Sequence, residues 1–409
     1  MPVNLLDEPE LEAPGPESRD YHWTLNFGPQ HPATHTTLRL VLELDGERIV
    51  KATPHIGYLH SGFEKLGEHL TFNQYVTIAD RKNYISPPYN EIAWFHAVEK
   101  ALDVTLTPRQ EYIRVIIGEL SRISDHMLCT GAAALDLGAF TAFLYAFQIR
   151  ELIYDVYEAM SGYRFHPGYL RVGGSLYDFD EKVFNKVRAV LAAAPKVMSD
   201  MGRLLFRNKI FLDRMRGVGV LTKAEAIGFC ASGPIARASG VTYDLRKDEP
   251  YLAYPDFKFE VPYATEGDCY ARFQVRMEEM RQSLSIVQQA MDRMPSGPAN
   301  APIADKFLLP DKATAYNSME GLIQHFELIM PNKGMESPLD EVYAAVESPN
   351  GELGYYLVAD GSQNAWRVRT RPPSFIHFGI FPHIIKDHLI ADVVAVLGSL
   401  NIIAAELDR

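Results

Sequence analysis

The sequence predicts an α+β protein, a long helical body flanked by β segments at both ends. Two patterns carry that reading: apolar residues alternate around turn-forming residues near each end, and they recur at helical spacing in between. At the N-terminal end Leu38, Leu40, Leu42 and Leu44 alternate, Asp45-Gly46 supplies the turn, and Ile49 opens a return strand, so residues 36–53 read as a hairpin. Near the other end Val342–Val346 and Tyr355–Val358, joined across Pro349-Asn350-Gly351, read as a second hairpin.

Between the hairpins, Thr107-Pro108-Arg109-Gln110 combines a capping box with proline at the first helical position and opens a helix to about Met127. Ile113, Ile116, Ile117, Leu120, Ile123 and Met127 make its apolar face, and Arg114, Glu119, Arg122 and Asp125 its polar side. Further helices are expected from about Gln148 to Gly162, at 180–207, at 222–229 behind the box Thr222 to Glu225, at 266–294, and at 384–397. Another includes Phe72 to Ile78 and stops before the Pro87-Pro88 break, which leaves Arg81 and Tyr84 near its end. No internal repeat or low-complexity tract interrupts this layout.

A chain of 409 residues with 47% hydrophobic content can fill a sizeable core, in one large or two ordinary domains. A formal net charge of -12 argues against nucleic-acid partners, which need a clustered basic surface. The three cysteines, Cys129, Cys230 and Cys269, are too widely spaced for a CxxC metal site or a disulfide framework, and a reducing compartment fits best. Residues 1–20 are acidic and Pro-rich and carry no export or organelle address; they read as an extended arm, either a solvated tail or a strap across a partner. The twenty residues 130–149 contain one charge, Asp136, and are long enough to span a bilayer. A lone carboxylate there is costly and amphipathic helices flank it, so a helix buried in protein is expected, with Asp136 needing a partner or a proton.

Several side chains stand where chemistry could sit. His31 and His35 lie on the turn-forming loop GPQHPATH that feeds the first hairpin; without an HExxH pattern or nearby cysteine, the reading stays open between loop-capping rings and a functional imidazole. Tyr84 is open between a half-buried packing residue and a hydrogen-bond donor. His166 and Arg171, in FHPGYLR, read first as a polar loop. The terminal Glu406-Leu407-Asp408-Arg409 follows an apolar run closely, and is either paired or frayed and solvated.

Taken together, FGPQHPATH, IGYLHSGFEK, DRKNYIS, YIRVIIGELSRISDH, SGYRFHPGYLRVGG, GDCYARF and VLGSLNIIAAELDR resemble the D-subunit family of respiratory complex I, from about residue 21 to Arg409. The resemblance implies a fold like the large subunit of nickel-iron hydrogenases over residues 21–409: an N-terminal β region (21–60), a helical body (61–300) and a C-terminal α+β region (301–409). The paired cysteines that hold nickel in those hydrogenases are missing; Leu59, His60, Gly62, Glu64 and Lys65 match LHxGxEK, and Gly398-Ser399-Leu400 stands near the end, so this chain is expected to bind no metal.

The family likeness further implies a quinone substrate, menaquinone or ubiquinone, in the vacated pocket. Tyr84 and His35 resemble the pair that hydrogen-bonds the headgroup carbonyls, and Asp136 the acid partnering His35. Arg81 and His166, with His31, fall at the quinone site and its boundary with a four-iron four-sulfur cluster carried by an adjacent small subunit, and His166 would titrate with cluster reduction. Implied partners are that iron-sulfur small subunit, other peripheral-arm subunits and a membrane-arm subunit at the quinone entrance, with the chain on the cytoplasmic face of the bacterial plasma membrane. Ser61, Asn401 and Thr36 depart from the family's usual arginine, aspartate and glycine. Two rival readings are an inert scaffold joining two subunits and a membrane-bound hydrogenase relative.

Overall fold

The computed structural model describes residues 22–34, 36–330 and 336–409; the expected arm, residues 1–20, and His35 lie outside the described residues. The architecture is α+β, mostly helical, with a small antiparallel sheet toward each end. The first sheet orders β1 (Trp23–Phe27), β2 (Arg39–Asp45) and β3 (Arg48–His55) in sequence. Its leucine alternation puts Leu40, Leu42 and Leu44 inward with Ile49, all fully buried, and Gly46 turns the hairpin at a positive φ that a Cβ would oppose. The outer edge of β3 is paired in turn: Ile49 N–H donates to the His388 carbonyl at 2.9 Å, and the Ile49 carbonyl accepts the Asp387 N–H at 2.8 Å.

The body begins with α1 (Pro87–Ala101), opened by Pro87-Pro88, where proline's missing N–H costs nothing. The central α2 (Pro108–Asp136) starts as expected, the Thr107 hydroxyl accepting the Gln110 N–H at 3.1 Å. It packs against α3 (Phe140–Ser161) and α5 (Cys269–Asp292), while α4 (Glu181–Leu205) lies outside α3. A second three-stranded sheet follows, β4 (Leu339–Ser348), β5 (Gly351–Asp360) and β6 (Ala365–Arg371), and the chain ends in α6 (Pro373–Ile385), α7 (Asp392–Leu400) and α8 (Ala404–Asp408). The main apolar core draws on residues from Phe27 to Leu407, and Ala238, Ala271 and Val275 form a small cluster beside it.

The structure corrects several sequence expectations. The helix expected to stop near Met127 continues to Asp136, and the next begins at Phe140, not near Gln148. Residues 130–149 are therefore no single buried helix: the chain turns back at 137–139, and Phe140 and Leu144 are exposed. No helix among the described residues is long and apolar enough to cross a membrane. The segment around Phe72 contains only the short helix Val76–Ala79, and the expected helix 384–397 is split between α6 and α7. Arg114, Glu119, Arg122 and Asp125, expected as the polar side of α2, are all completely buried. Of the two readings of the C-terminus the paired one holds: Glu406, Leu407 and Asp408 are buried, and the Asp408 carboxylate accepts the Gly57 and Leu59 N–H groups at 2.8 and 2.7 Å.

Candidate functional site

A cavity of about 350 Å³ opens where the loop before β2, the segment before α1, the end of α2 and the α7–α8 connection converge. On α2, Cys129, Ala132 and Asp136 follow one another at spacings of three and four, so a single helical face supplies this wall. Small residues make room for it. A Cβ on Gly131 would stand 2.9 Å from the Ala146 Cβ, so glycine there lets α3 approach α2 closely. Phe143 of α3, Leu397 and Gly398 of α7, and Ile402 add apolar lining.

Tyr84 faces this space from the segment that leads into α1. Its ring is half-buried, its hydroxyl makes no hydrogen bond with a described residue, and burial raises its proton affinity above that of an ordinary phenol. It is therefore a neutral O–H donor at physiological pH. Asp136 lines the same cavity from the last residue of α2. Two of the expected headgroup residues, Tyr84 and Asp136, are thus brought together; the third, His35, lies outside the described residues, while its near neighbour Ala33 contributes to the lining.

His31 is not among the cavity-lining residues. Its Nδ1 accepts the Ala33 N–H at 3.1 Å and its ring packs on Phe27 at 4.0 Å, so it caps the loop that carries Ala33. Arg81 and His166 lie within electrostatic reach of each other, and neither is among the cavity-lining residues. Arg81 is exposed and hydrogen-bonded to the Thr77 carbonyl. His166 is half-buried beside it; burial first, and then the Arg81 cation, push its imidazole down to about 4, against which the Asp80 carbonyl acts weakly. His166 is neutral at pH 7.

Sequence reasoning missed a group of acids and amides around these positions. Asp80 and Glu91 are fully buried close to one another and accept the N–H groups of Gly168, Tyr169 and Leu170. Burial and each other's proximity keep a proton on the pair, because two adjacent carboxylates cannot both ionise. Asn401 lines the cavity in a left-handed conformation that ends α7, and its Nδ2 donates to Asp125 Oδ1 at 2.8 Å and to Asn350 Oδ1 at 2.6 Å. Asn401 stands beside the buried Asp125, where its amide donates a hydrogen bond that a carboxylate could not.

Comparison with known proteins agrees with these motifs. The family described as "Respiratory-chain NADH dehydrogenase, 49 Kd subunit" matches residues 136–409. The NADH-quinone oxidoreductase D-subunit 2 of Rhizobium etli is 46% identical over 407 residues, covering 100% of this chain and 99% of that protein. The D-subunit 2 of the same enzyme from Cytophaga hutchinsonii is 45% identical over 95% of this chain and 99% of its own length. The D-subunit from Citrifermentans bemidjiense is 46% identical, with 94% and 98% covered. With likeness of this extent along the whole chain, it belongs to the D-subunit family of NADH-quinone oxidoreductases, the 49 kDa subunits of respiratory complex I.

Proposed function

We propose that this subunit forms the quinone headgroup site of its complex and supplies protons as the quinone is reduced. The observation that carries the reading is the cavity in which the Tyr84 phenol and the Asp136 carboxyl share one apolar space. Its volume of about 350 Å³ falls at the small end of the roughly 300–1,000 Å³ common for ligand pockets, as suits a single ring with its tail leaving the site. Reduction takes two electrons and two protons, so charge growing on the carbonyl oxygens calls for donors at about 2.6–3.2 Å. Tyr84 donates to one carbonyl and His35 to the other, with Asp136 holding the far nitrogen of the imidazole so that its N–H faces the substrate.

His31 shapes the loop that carries His35. Arg81 and His166, a cation against a neutral imidazole, face the four-iron four-sulfur cluster of the adjacent iron-sulfur small subunit, the source of the electrons. Residues 21–409 form one hydrogenase-large-subunit-like domain. It sits among the other peripheral-arm subunits at the cytoplasmic face of the bacterial plasma membrane, against a membrane-arm subunit at the quinone entrance, and takes menaquinone or ubiquinone. Proton transfer at the headgroup starts the charge movement that drives the membrane arm.

Replacing Tyr84 by Phe removes one donor with little change of shape. In the intact complex Tyr84→Phe should lower quinone reduction by about 10²-fold while NADH still reduces the clusters at the wild-type rate. Unchanged quinone turnover would rule out the role given to Tyr84.

A further inference from the structure

We propose that the acidic arm, residues 1–20, docks in a basic groove between α4 and α5 of its own chain. The groove has a volume of about 610 Å³ and shares no lining residue with the cavity above, so the inference does not depend on the quinone reading. Met198 of α4, Phe206 just beyond it and Leu284 of α5 form an apolar floor, and the exposed Arg203, Arg207 and Arg281 stand on the rim. The floor is built into the packing. Phe206 meets Phe273 edge-on with ring centroids 5.5 Å apart, and glycine at 202 leaves room for the Phe206 ring, since a Cβ there would stand 3.0 Å from it. Leu204 and Ile210, beside the rim cations in sequence, add exposed aliphatic surface.

Charge selects the occupant. The whole chain carries a formal net charge of -12, yet residues 196–216 hold six cations, Lys196, Arg203, Arg207, Lys209, Arg214 and Arg216, against the two acids Asp200 and Asp213. Arg203 and Arg281 pair with Asp200 and Glu278 one turn away, but water screens such exposed i,i+3 pairs, and their cations stay open to a better-placed anion. Arg207 and Lys209 are exposed and form no ion pair among the described residues. The arm offers the complement: Asp7, Glu8, Glu10, Glu12, Glu17 and Asp20 against the single cation Arg19, with Leu5, Leu6 and Leu11 set beside the first four acids. Acids interleaved with leucines meet a cationic rim and an apolar floor together.

The arm also reaches. Trp23, at the start of β1, donates its indole N–H to the Gly46 carbonyl at 3.0 Å. The carbonyl of the next residue, Glu47, accepts the Ile390 N–H at 2.9 Å, and the adjoining Ala391 carbonyl accepts Arg214 Nη2 at 2.6 Å. Arg214 lies on the short helix Lys209–Met215, which starts three residues after Phe206. A short series of contacts therefore separates β1 from the groove. Residues 13–21, extended at roughly 3.3 Å each, cover about 30 Å and bring the stretch 4–12 onto it. Tethering holds the arm there at an effective concentration on the order of millimolar, which puts a free acidic peptide or an anionic lipid at a disadvantage.

The test is a photo-crosslink in the intact complex, with Leu6→p-benzoylphenylalanine as the probe and the products mapped by peptide mass. Crosslinks to the peptides of this chain that carry residues 195–207 or 281–284 are the expected result. The triple variant Arg203→Gln, Arg207→Gln, Arg281→Gln should lower their yield at least about fivefold. Neutralising the arm instead, by Asp7→Asn with Glu8→Gln, Glu10→Gln and Glu12→Gln, should lower it as much while leaving the groove untouched. This second set carries the test where the arginine variant fails to assemble. Crosslinks confined to another subunit, to lipid or to other parts of this chain, no crosslink at all, or a yield that survives either set of substitutions would each overturn the proposal.

Discussion

At the scale of single residues, charge inside this protein survives by being surrounded. Glu119, fully buried on α2, accepts the hydroxyls of Tyr89, Tyr254 and Ser283 at 2.9, 2.7 and 2.6 Å and lies against Arg122 and Arg246. Burial alone would raise its proton affinity; the two guanidiniums and the hydroxyl donors outweigh it and hold the carboxyl at about 2. Because that value lies below the unfolded one, the stability contributed, on the order of 3 kcal/mol, is full above about pH 4.5 and is lost as pH falls toward about 2. Glu119→Gln leaves the buried Arg122 without its carboxylate and Arg246 with Asp244 alone, and should cost about 3–5 kcal/mol at pH 7. The gap in melting temperature between the wild-type and variant complexes should be widest at neutral pH and narrow on acidification; a gap independent of pH would show that Glu119 acts by packing alone. Lys82 illustrates the limit of sequence at this scale. It stands between Arg81 and Tyr84 with no distinguishing spacing, yet it is buried, 4.2 Å from the Tyr355 ring, and burial brings it down to about 7.

At the scale of elements, α2 both organises the fold and forms the cavity, and it does so with two buried faces. Its apolar stripe was legible because isoleucines recur with helical period. Its polar stripe was legible only as polar, because composition alone cannot tell a charge that meets water from one that meets a partner on another element. The same limit explains the breaks that were missed. Leu137-Gly138-Ala139 is apolar enough to read as helix, and Gly138 turns the chain there with a positive φ. Pro87-Pro88 marks a helix start as well as a stop, and only the structure shows that α1 begins on it. The α2–α3 contact that shapes the cavity is testable. Gly131→Ala places a methyl 2.9 Å from the Ala146 Cβ and should destabilise the protein by about 1–3 kcal/mol while raising the KM for quinone. Adding Ala146→Gly removes the opposing methyl and should restore both in a double-mutant cycle; an additive pair would separate the cavity from this contact.

At the scale of the whole molecule, the cavity exists because distant parts of the chain close on one another. Lining residues run from Ala33 to Ile403, β3 is paired to the residues between α6 and α7, and Asp408 ties the last helix to the 57–59 loop. Sequence motifs identified the loop before β2, Tyr84 and Asp136 as functional candidates, but the convergence of Cys129, Asn401 and Ile402 on the same space is a tertiary fact that no spacing rule encodes. Nor does any local pattern foretell that the terminal Asp408, read as either paired or frayed, is a structural clamp. The most direct measurement of the central claim is photoaffinity labelling of the intact complex with a short-chain quinone analogue, followed by peptide mapping. Label on the segments 84–85, 128–136 and 397–403, abolished by excess quinone, is the predicted result; label confined to other subunits, or to regions of this chain away from the cavity, would contradict the account.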